Sequence, residues 1–387
     1  MLPIELIFSF ILCSTYVYKT GESVKERNYL YVHIAFMVYR IVVSSIILLD
    51  FYNSSKKIFV YELGAILLSN CLIRSVELDE LIKTIKLFGI INAILGVVEF
   101  ITKNSLFYSL IDVSSRQFGA FSFGTIDSRV RTVFIHPIVC AVFCVITWII
   151  LVYYPCNNKI IDTIAKGTVI ICLVGTQSRS SWVSFVIVNI IIFTKRIADR
   201  EIVIDRKQLL INMIIVIGSL CICVVFKSQL MNIWNLIKAR WLTGMDKSNM
   251  SNFNRVTMIR NGLRAYSEWG VGEKMFGKGF EYAISFLKSH SIRGWSGAVD
   301  NTYLTVLLDY GLCGLLFMMY YLIIAFRSIL SKHRIYEACG ICLLSIMISG
   351  FFYDIFAWFT SDILMAVLIC ILSSGIYFDE ALCLHGE

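Results

Sequence analysis

Eleven apolar runs divide the chain, at about 3–18, 29–50, 58–73, 87–102, 133–153, 160–176, 182–194, 209–226, 303–326, 336–352 and 359–377. Most have the roughly 17–25 residues that a helix needs to cross a hydrocarbon core. In lipid the backbone must be paired within its own segment, so each run predicts a helix. The first, third and seventh are short and predict tilted, re-entrant or end-extended segments. Composition agrees: 58% of residues are hydrophobic and 16% are charged, against about a quarter charged in an ordinary soluble domain. Three prolines and 14% aromatics also exclude a disordered or collagenous chain. The expected fold class is an all-α polytopic membrane protein with about 11 transmembrane helices, forming a single domain over 1–387. The first run lacks a basic flank and a small-residue cleavage site, so it reads as a span and not as a signal peptide.

Orientation follows from lysine and arginine in the short loops. Lys19, Lys25 and Arg27 follow the first run, and Arg74, Lys83 and Lys86 follow the third. Lys195, Arg196, Arg200, Arg206 and Lys207 follow the seventh, and Arg327, Lys332 and Arg334 follow the ninth. Simple alternation places all four groups on one side, which is expected to be cytoplasmic. The C-terminus then lies inside and the N-terminus outside. The alternation also puts 103–132, the short turn at 177–181 and the polar stretch 227–302 on the external face. That stretch is basic too, but loops beyond about 60 residues largely escape the charge rule. The net charge of +8 therefore belongs to loops at a bilayer, and no nucleic-acid partner is expected. The cytoplasmic loops are short and leave no room for a cytosolic catalytic domain. No linker, low-complexity tract or internal repeat is evident.

Of thirteen cysteines, only Cys156 and Cys383 fall outside apolar runs, which argues against an external disulfide framework. Cys339 and Cys342 have CxxC spacing but no second pair, so they read as small buried hydrophobes. The five histidines form no ligand cluster, and no metal is expected.

The long insert 227–302 holds most of the chain's polar residues. Within it, Ser251-Asn252-Phe253-Asn254 offers a helix start before Arg255. Arg255, Ile259, Leu263 and Tyr266 follow helical spacing, with Arg260 and Arg264 on a neighbouring face. An amphipathic helix on the membrane surface is expected, with Trp269 at the interface. Phe276-Gly277-Lys278-Gly279-Phe280 lacks the spacing of a nucleotide-binding loop and predicts a close backbone turn that needs glycine.

Several polar residues sit at the edges of apolar runs. Arg179 lies in Thr176-Gln177-Ser178-Arg179-Ser180-Ser181-Trp182, between two runs. A snorkelling arginine is the ordinary reading. The polar cluster beside it favours a functional one, because a guanidinium grips phosphate oxygens in bidentate fashion. Arg129 and Arg131 precede His136 and Pro137 at the entrance of the fifth run and would extend an anion site. Pro137 suits a first helical turn, and His136 reads as a polar or structural residue. Asp300 and Asn301 stand where the insert re-enters the membrane. Asp300 would act as a general base or orient a sugar, or the pair would cap the ninth helix; the residues alone leave both open. Asp309, two turns deeper, is expected to pair with an arginine or a backbone group, and Arg40 and Glu62 are comparable intramembrane charges. No DxD pair, HExxH, GxSxG or Walker sequence is present, so phosphate chemistry here would use arginine.

These motifs, in this order, resemble the O-antigen ligase/polymerase superfamily of bacterial membrane glycosyltransferases. The resemblance rests on Thr176–Trp182, on Arg255 opening an insert helix, on Phe276–Gly279, and on Asp300-Asn301-Thr302-Tyr303-Leu304 leading to Asp309-Tyr310-Gly311. Arg131 followed by His136-Pro137 is similar to a preceding motif, and the whole covers roughly 86–350. It implies a GT-C-like fold in the bacterial cytoplasmic (inner) membrane, with the long loop and active site on the external, periplasmic face. It implies an undecaprenyl-pyrophosphate-linked glycan as donor and acceptor, with a flippase and a chain-length regulator as partners, and metal-independent inverting transfer without a cofactor. Arg179 and Arg255 would contact the pyrophosphate, and Asp300 would be the base. Arg131, Arg264, His136, Asn301 and Gly279 would contribute to substrate binding. Ligases of the family have histidine where this chain has Asp300. That departure favours a repeat-unit polymerase for O-antigen, capsule or exopolysaccharide over a ligase. A flippase of the lipid-linked unit is the alternative from another class.

Overall fold

The computed structural model describes residues 29–48, 78–102, 129–134, 136–199, 250–290, 299–354 and 359–373. Among these residues there are eleven helices and no strand. The helices are α1 (Tyr29–Leu48), α2 (Leu78–Thr102), α3 (Pro137–Tyr153), α4 (Lys159–Gly175) and α5 (Arg179–Ala198). After them come α6 (Met250–Glu268), α7 (Val271–Phe276), α8 (Tyr282–Ser289), α9 (Thr302–Ile329), α10 (Arg334–Gly350) and α11 (Phe359–Ser373). The apolar runs at 3–18, 58–73 and 209–226 lie outside the described residues, as does Glu62.

Two helices of 17 residues, α3 and α10, are buried almost throughout and pack on each other. Around them, α2 and α4 pack on α3, α9 and α11 pack on α10, and α5 contacts both. α1 closes the bundle against α9 and α11. Four helices are long and apolar enough to cross a bilayer: Tyr29–Ile47, Glu80–Thr102, Arg179–Ala198 and Thr302–Ile329. Pro137–Tyr153 and Ile363–Ser373 are shorter apolar helices. On α2, Leu87, Ile91, Ile94, Val98 and Ile101 are exposed and recur at helical spacing. An outward apolar stripe of that length would be costly in water and suits a hydrocarbon solvent. This is a multi-pass membrane protein, all-helical among the described residues.

Two boundaries differ from the hydropathy expectation for physical reasons. α2 begins at Leu78, well before the run at 87–102, because its polar first turns find partners. Lys83 Nζ lies 2.6 Å from Glu80 Oε1, and Lys86 Nζ donates to the Tyr154 carbonyl at 3.1 Å. α3 begins at Pro137 and not at 133, because Arg131–Phe134 form a turn in which Thr132 has φ 53°. His136 then caps the helix, its Nδ1 accepting the Ile138 N–H at 3.2 Å.

Among the described residues, Lys86, Lys195, Arg196 and Arg334 gather at one end of the bundle. Lys195 Nζ donates to Ser331 O at 3.4 Å, and Arg196 Nη2 donates to Val152 O at 3.3 Å. The Arg334 guanidinium lies 5.4 Å from the Tyr154 ring centre. The same end carries the Tyr153 hydroxyl bonded to Glu337 Oε1.

The long helix α9 is broken at Gly311, with φ 66° and ψ −161°. A broken helix inside a membrane must satisfy the backbone groups it frees. Here the turn between α7 and α8 does so: Lys278 N–H donates to Leu308 O at 3.1 Å, and Gly279 N–H to Asp309 O at 2.8 Å. The approach is backbone to backbone. A Cβ on Gly277 would fall 2.3 Å from Asp309 O, and one on Gly311 would fall 2.4 Å from Met275 O. The Asp309 side chain completes the joint, with Oδ1 accepting Ala283 N–H at 2.7 Å and Oδ2 accepting Glu281 N–H at 3.2 Å. The Phe280 N–H donates to Ser44 Oγ of α1 at 3.0 Å, and Tyr39 donates to the Tyr310 carbonyl at 2.7 Å. The glycine turn is therefore a structural joint, and Asp309 takes backbone partners, one of the two expected.

Candidate functional site at one end of the bundle

The opposite end is built on the hairpin between α4 and α5. The Thr176 hydroxyl donates to Leu173 O at 2.7 Å, and Gln177 turns the chain with φ 52°. Ser178 is the N-cap of α5, yet its hydroxyl lies 3.1 Å from both Ser180 Oγ and Ser181 Oγ and makes no cap bond to backbone. The first-turn N–H groups thus keep the partial positive charge that favours an anion at a helix start. Arg179 is the first residue of that helix and is half-buried.

The segment 129–132 caps the end of α4. Val130 N–H donates to Gly175 O at 3.0 Å, and Arg129 Nε donates to Thr176 O at 2.8 Å. Arg129 is thereby tied to the hairpin that presents Arg179. Glu99 of α2, buried, holds the next two residues: its Oε2 accepts the Arg131 N–H at 3.1 Å and the Thr132 N–H at 2.9 Å. The Thr132 hydroxyl donates to Asn92 Oδ1 at 2.5 Å. Glu99 thus positions the Arg131 backbone. Replacing Glu99 with alanine would orphan two N–H groups and is expected to destabilise the protein by about 2–4 kcal/mol. Glu99→Gln keeps a carbonyl oxygen for both and is expected to cost less than half as much. Thermal unfolding of the two variants side by side checks this, and equal losses would refute it.

His136 connects this segment to α9 and α10. Its ring stacks on Tyr353, with centroids 5.8 Å apart and planes at 22°. The Tyr353 carbonyl accepts the Thr302 hydroxyl at 2.7 Å, and the Thr305 hydroxyl donates to Asp354 Oδ2 at 3.0 Å. Asn301 is the N-cap of α9, its Oδ1 accepting the Leu304 N–H at 2.9 Å while its Nδ2 donates to Phe351 O at 3.0 Å. The capping job therefore falls to Asn301, and Asp300 stands just outside the helix, half-buried.

The insert helices lie against the first half of α9. Met258, Trp269 and Ala283 form a small core with Val299, Leu304 and Leu308. The amphipathic helix expected around Arg255 is α6. Arg255 lies within it, though its side chain is outside the described residues. Arg260 and Arg264 point outwards beside exposed Val256, Ile259 and Leu263. Arg264 Nε lies 3.2 Å from Glu268 Oε1 in an exposed pair. Gly279 belongs to the backbone joint at Asp309.

Arg131, His136, Arg179, Asp300 and Asn301 thus belong to one connected set of elements, with α6 and its Arg255 packed beside them. Sequence reasoning passed over Glu99, Thr132, Tyr353 and Asp354. Glu99 carried a usable signal, since a carboxylate within an apolar run marks a functional or positioning residue.

The helices define a multi-pass membrane protein, and the starts of α5 and α9 belong to one end of the bundle together with Arg129, Arg131 and Arg179. Residues 164–319 match the family model described as O-Antigen ligase. Over that segment the resemblance to the O-antigen ligase/polymerase superfamily is borne out. The match runs from α4 into α9 and includes Arg179, Arg255, Arg264, Gly279, Asp300 and Asn301, while Arg131 and His136 precede it. No curated protein matches the chain.

Proposed function

We propose that the protein is a membrane glycosyltransferase that polymerises undecaprenyl-pyrophosphate-linked oligosaccharide repeat units of a surface polysaccharide. The observation that carries the reading is the family match over 164–319, which holds Arg179, Arg255 and Asp300. The fold would be GT-C-like with eleven spans, its site on the external face of the cytoplasmic membrane. In the reaction, the acceptor hydroxyl oxygen bonds to the donor's anomeric carbon as the bond to the pyrophosphate oxygen breaks. The lipid pyrophosphate leaves with the electron pair, the configuration inverts, and Asp300 takes the hydroxyl proton. Arg179 and Arg255 neutralise charge as it grows on the leaving group, where preorganised electrostatic help is largest. Arg131 and Arg264 extend the anion site, His136 and Asn301 border it, and Gly279 shapes the insert next to it.

The matched family's description favours a second reading, a ligase that moves finished glycan to a lipid or protein acceptor. Asp300, where ligases carry histidine, weighs against it. Arg179→Ala and Arg255→Ala are each expected to lower the polymerisation rate of reconstituted protein by about 100-fold or more, in line with losing one transition-state donor. Wild-type rates in both would end the assignment. Deleting the gene and sizing the host's glycans separates the classes. Single repeat units in place of long chains support the polymerase, and long lipid-linked, unattached polymer supports the ligase. Units held on the cytoplasmic leaflet would mean a flippase.

A further inference from the structure

One group of side chains has no part in this chemistry. Cys140 and Cys144 stand one turn apart on the inner face of α3, and Cys172 reaches towards them from α4. Their sulfurs all lie within 4.8 Å of one another, with Cys144 Sγ and Cys172 Sγ 3.5 Å apart. Among the described residues this is the one cluster of three or more His, Cys, Asp or Glu side chains able to share an ion. All three are fully buried. α2 seals the third side so closely that a Cβ on Gly96 would meet Cys172 Sγ at 2.2 Å.

Buried cysteine usually serves as a small hydrophobe, and three scattered thiols would need no other account. These three converge, and polar groups accompany them. The Thr132 hydroxyl lies 3.5 Å from Cys140 Sγ, and Asn92 Nδ2 lies 4.0 Å from it. Hydrogen-bonding partners beside a sulfur are what orient and stabilise a ligating thiolate.

We propose that Cys140, Cys144 and Cys172 form a three-coordinate thiolate site for a soft monovalent cation of the copper(I) type. Metal–sulfur bonds of about 2.3 Å in a trigonal plane put the sulfurs about 4.0 Å apart, which falls within the observed spread. Thiolates select soft cations. A structural zinc site takes four ligands, and this buried cluster offers three sulfurs. Each sulfur that ligates as thiolate releases its proton on binding. The Cys140 N–H donates to the His136 carbonyl at 3.2 Å, so a bound ion would pin α3 to α4 directly beneath the polar end. Full burial implies loading as the chain folds.

The test uses the full-length protein purified in detergent from cells grown with and without added copper. Metal content is read by mass spectrometry, retention is read against a copper(I) chelator, and sulfur neighbours are read by X-ray absorption. The expected result is one copper(I) per chain with three sulfurs at about 2.3 Å. Cys172→Ala and Cys144→Ser, checked for monodispersity, are expected to retain copper at least tenfold more weakly, while Cys313→Ala is unchanged. The proposal fails if copper-grown wild-type protein carries no copper, or carries zinc instead. It also fails if absorption shows fewer than three sulfurs, or if Cys172→Ala binds as wild type does. The absorption measurement uses wild-type protein alone and decides the matter even if the variants misfold.

Discussion

Gly311→Ala is expected to destabilise the protein strongly, through the break in α9 and not through any loss of substrate contact. Gly311 holds φ 66° and ψ −161°, a region that essentially glycine alone occupies, and a side chain there costs about 1–3 kcal/mol. The added Cβ would also lie 2.4 Å from Met275 O. Backbone cannot swing aside as a flexible side chain can, and overpacking of that kind adds about 1–3 kcal/mol. The neighbouring turn cannot retreat either, because Gly277 faces Asp309 O with the same closeness. The sum, roughly 2–6 kcal/mol, is a large share of a domain's net stability of about 5–15 kcal/mol. Gly277→Ala should behave alike. Gly167→Ala is the control: a Cβ there meets nothing within 4 Å on α4, and alanine is favoured over glycine in a helix by up to about 1 kcal/mol. Thermal unfolding of the three variants in one detergent checks the ranking. A Gly311→Ala protein as stable as Gly167→Ala would show that the joint is not built as described.

The sequence made the spans legible because burial in lipid imposes length and apolarity, and both can be counted. That is why the run at 303–326 and the helix Thr302–Ile329 nearly coincide. Local chemistry was legible too. Pro137 stands at a helix start, the Asp300-Asn301-Thr302 group holds a cap, and Phe276–Phe280 is a glycine turn. Counting apolar residues could not locate the polar turns of α2, whose helix continues past the hydrophobic stretch through the Glu80–Lys83 pair. Nor could it supply partners. Helical spacing does not say that His33 Nδ1 meets the Tyr321 hydroxyl at 2.5 Å across 288 residues. The site was hidden for the same reason. His136 on Tyr353 and Glu99 under Arg131 are contacts between segments far apart in the chain, and no pattern within either segment encodes them. Intramembrane charges were visible as anomalies, and the structure gives two of them uses. Arg40 lies 5.4 Å from the Tyr310 ring centre, and Asp309 organises the insert.

Asp309 carries the second large effect, and its two oxygens make a graded test. Both accept backbone N–H groups of the segment that leads into α8, Ala283 at 2.7 Å and Glu281 at 3.2 Å. The site is buried, so water cannot replace a lost acceptor, and each orphaned N–H costs about 1–3 kcal/mol. Asp309→Ala removes both acceptors and is expected to cost about 3–5 kcal/mol. Asp309→Asn is nearly isosteric and retains one acceptor; its amide nitrogen cannot accept the other bond, and the loss should be about half as large. Hydrogen exchange reads the difference residue by residue. In the alanine variant the amides of Glu281 and Ala283 should both lose protection. In the asparagine variant one should lose it, and Glu281 is the expected one because its bond is longer. Identical exchange in both variants and wild type would mean that the carboxylate does not hold the insert. The consequence reaches the site, because the same turn anchors α7 and α8, and these pack with α6 on the half-helix that begins at Asn301. Loosening Asp309 should therefore lower the proposed transferase activity in proportion to lost protection, whereas Arg179→Ala should lower it with protection intact. A fall in activity without any loss of protection at 281 and 283 would instead give Asp309 a direct part in the reaction.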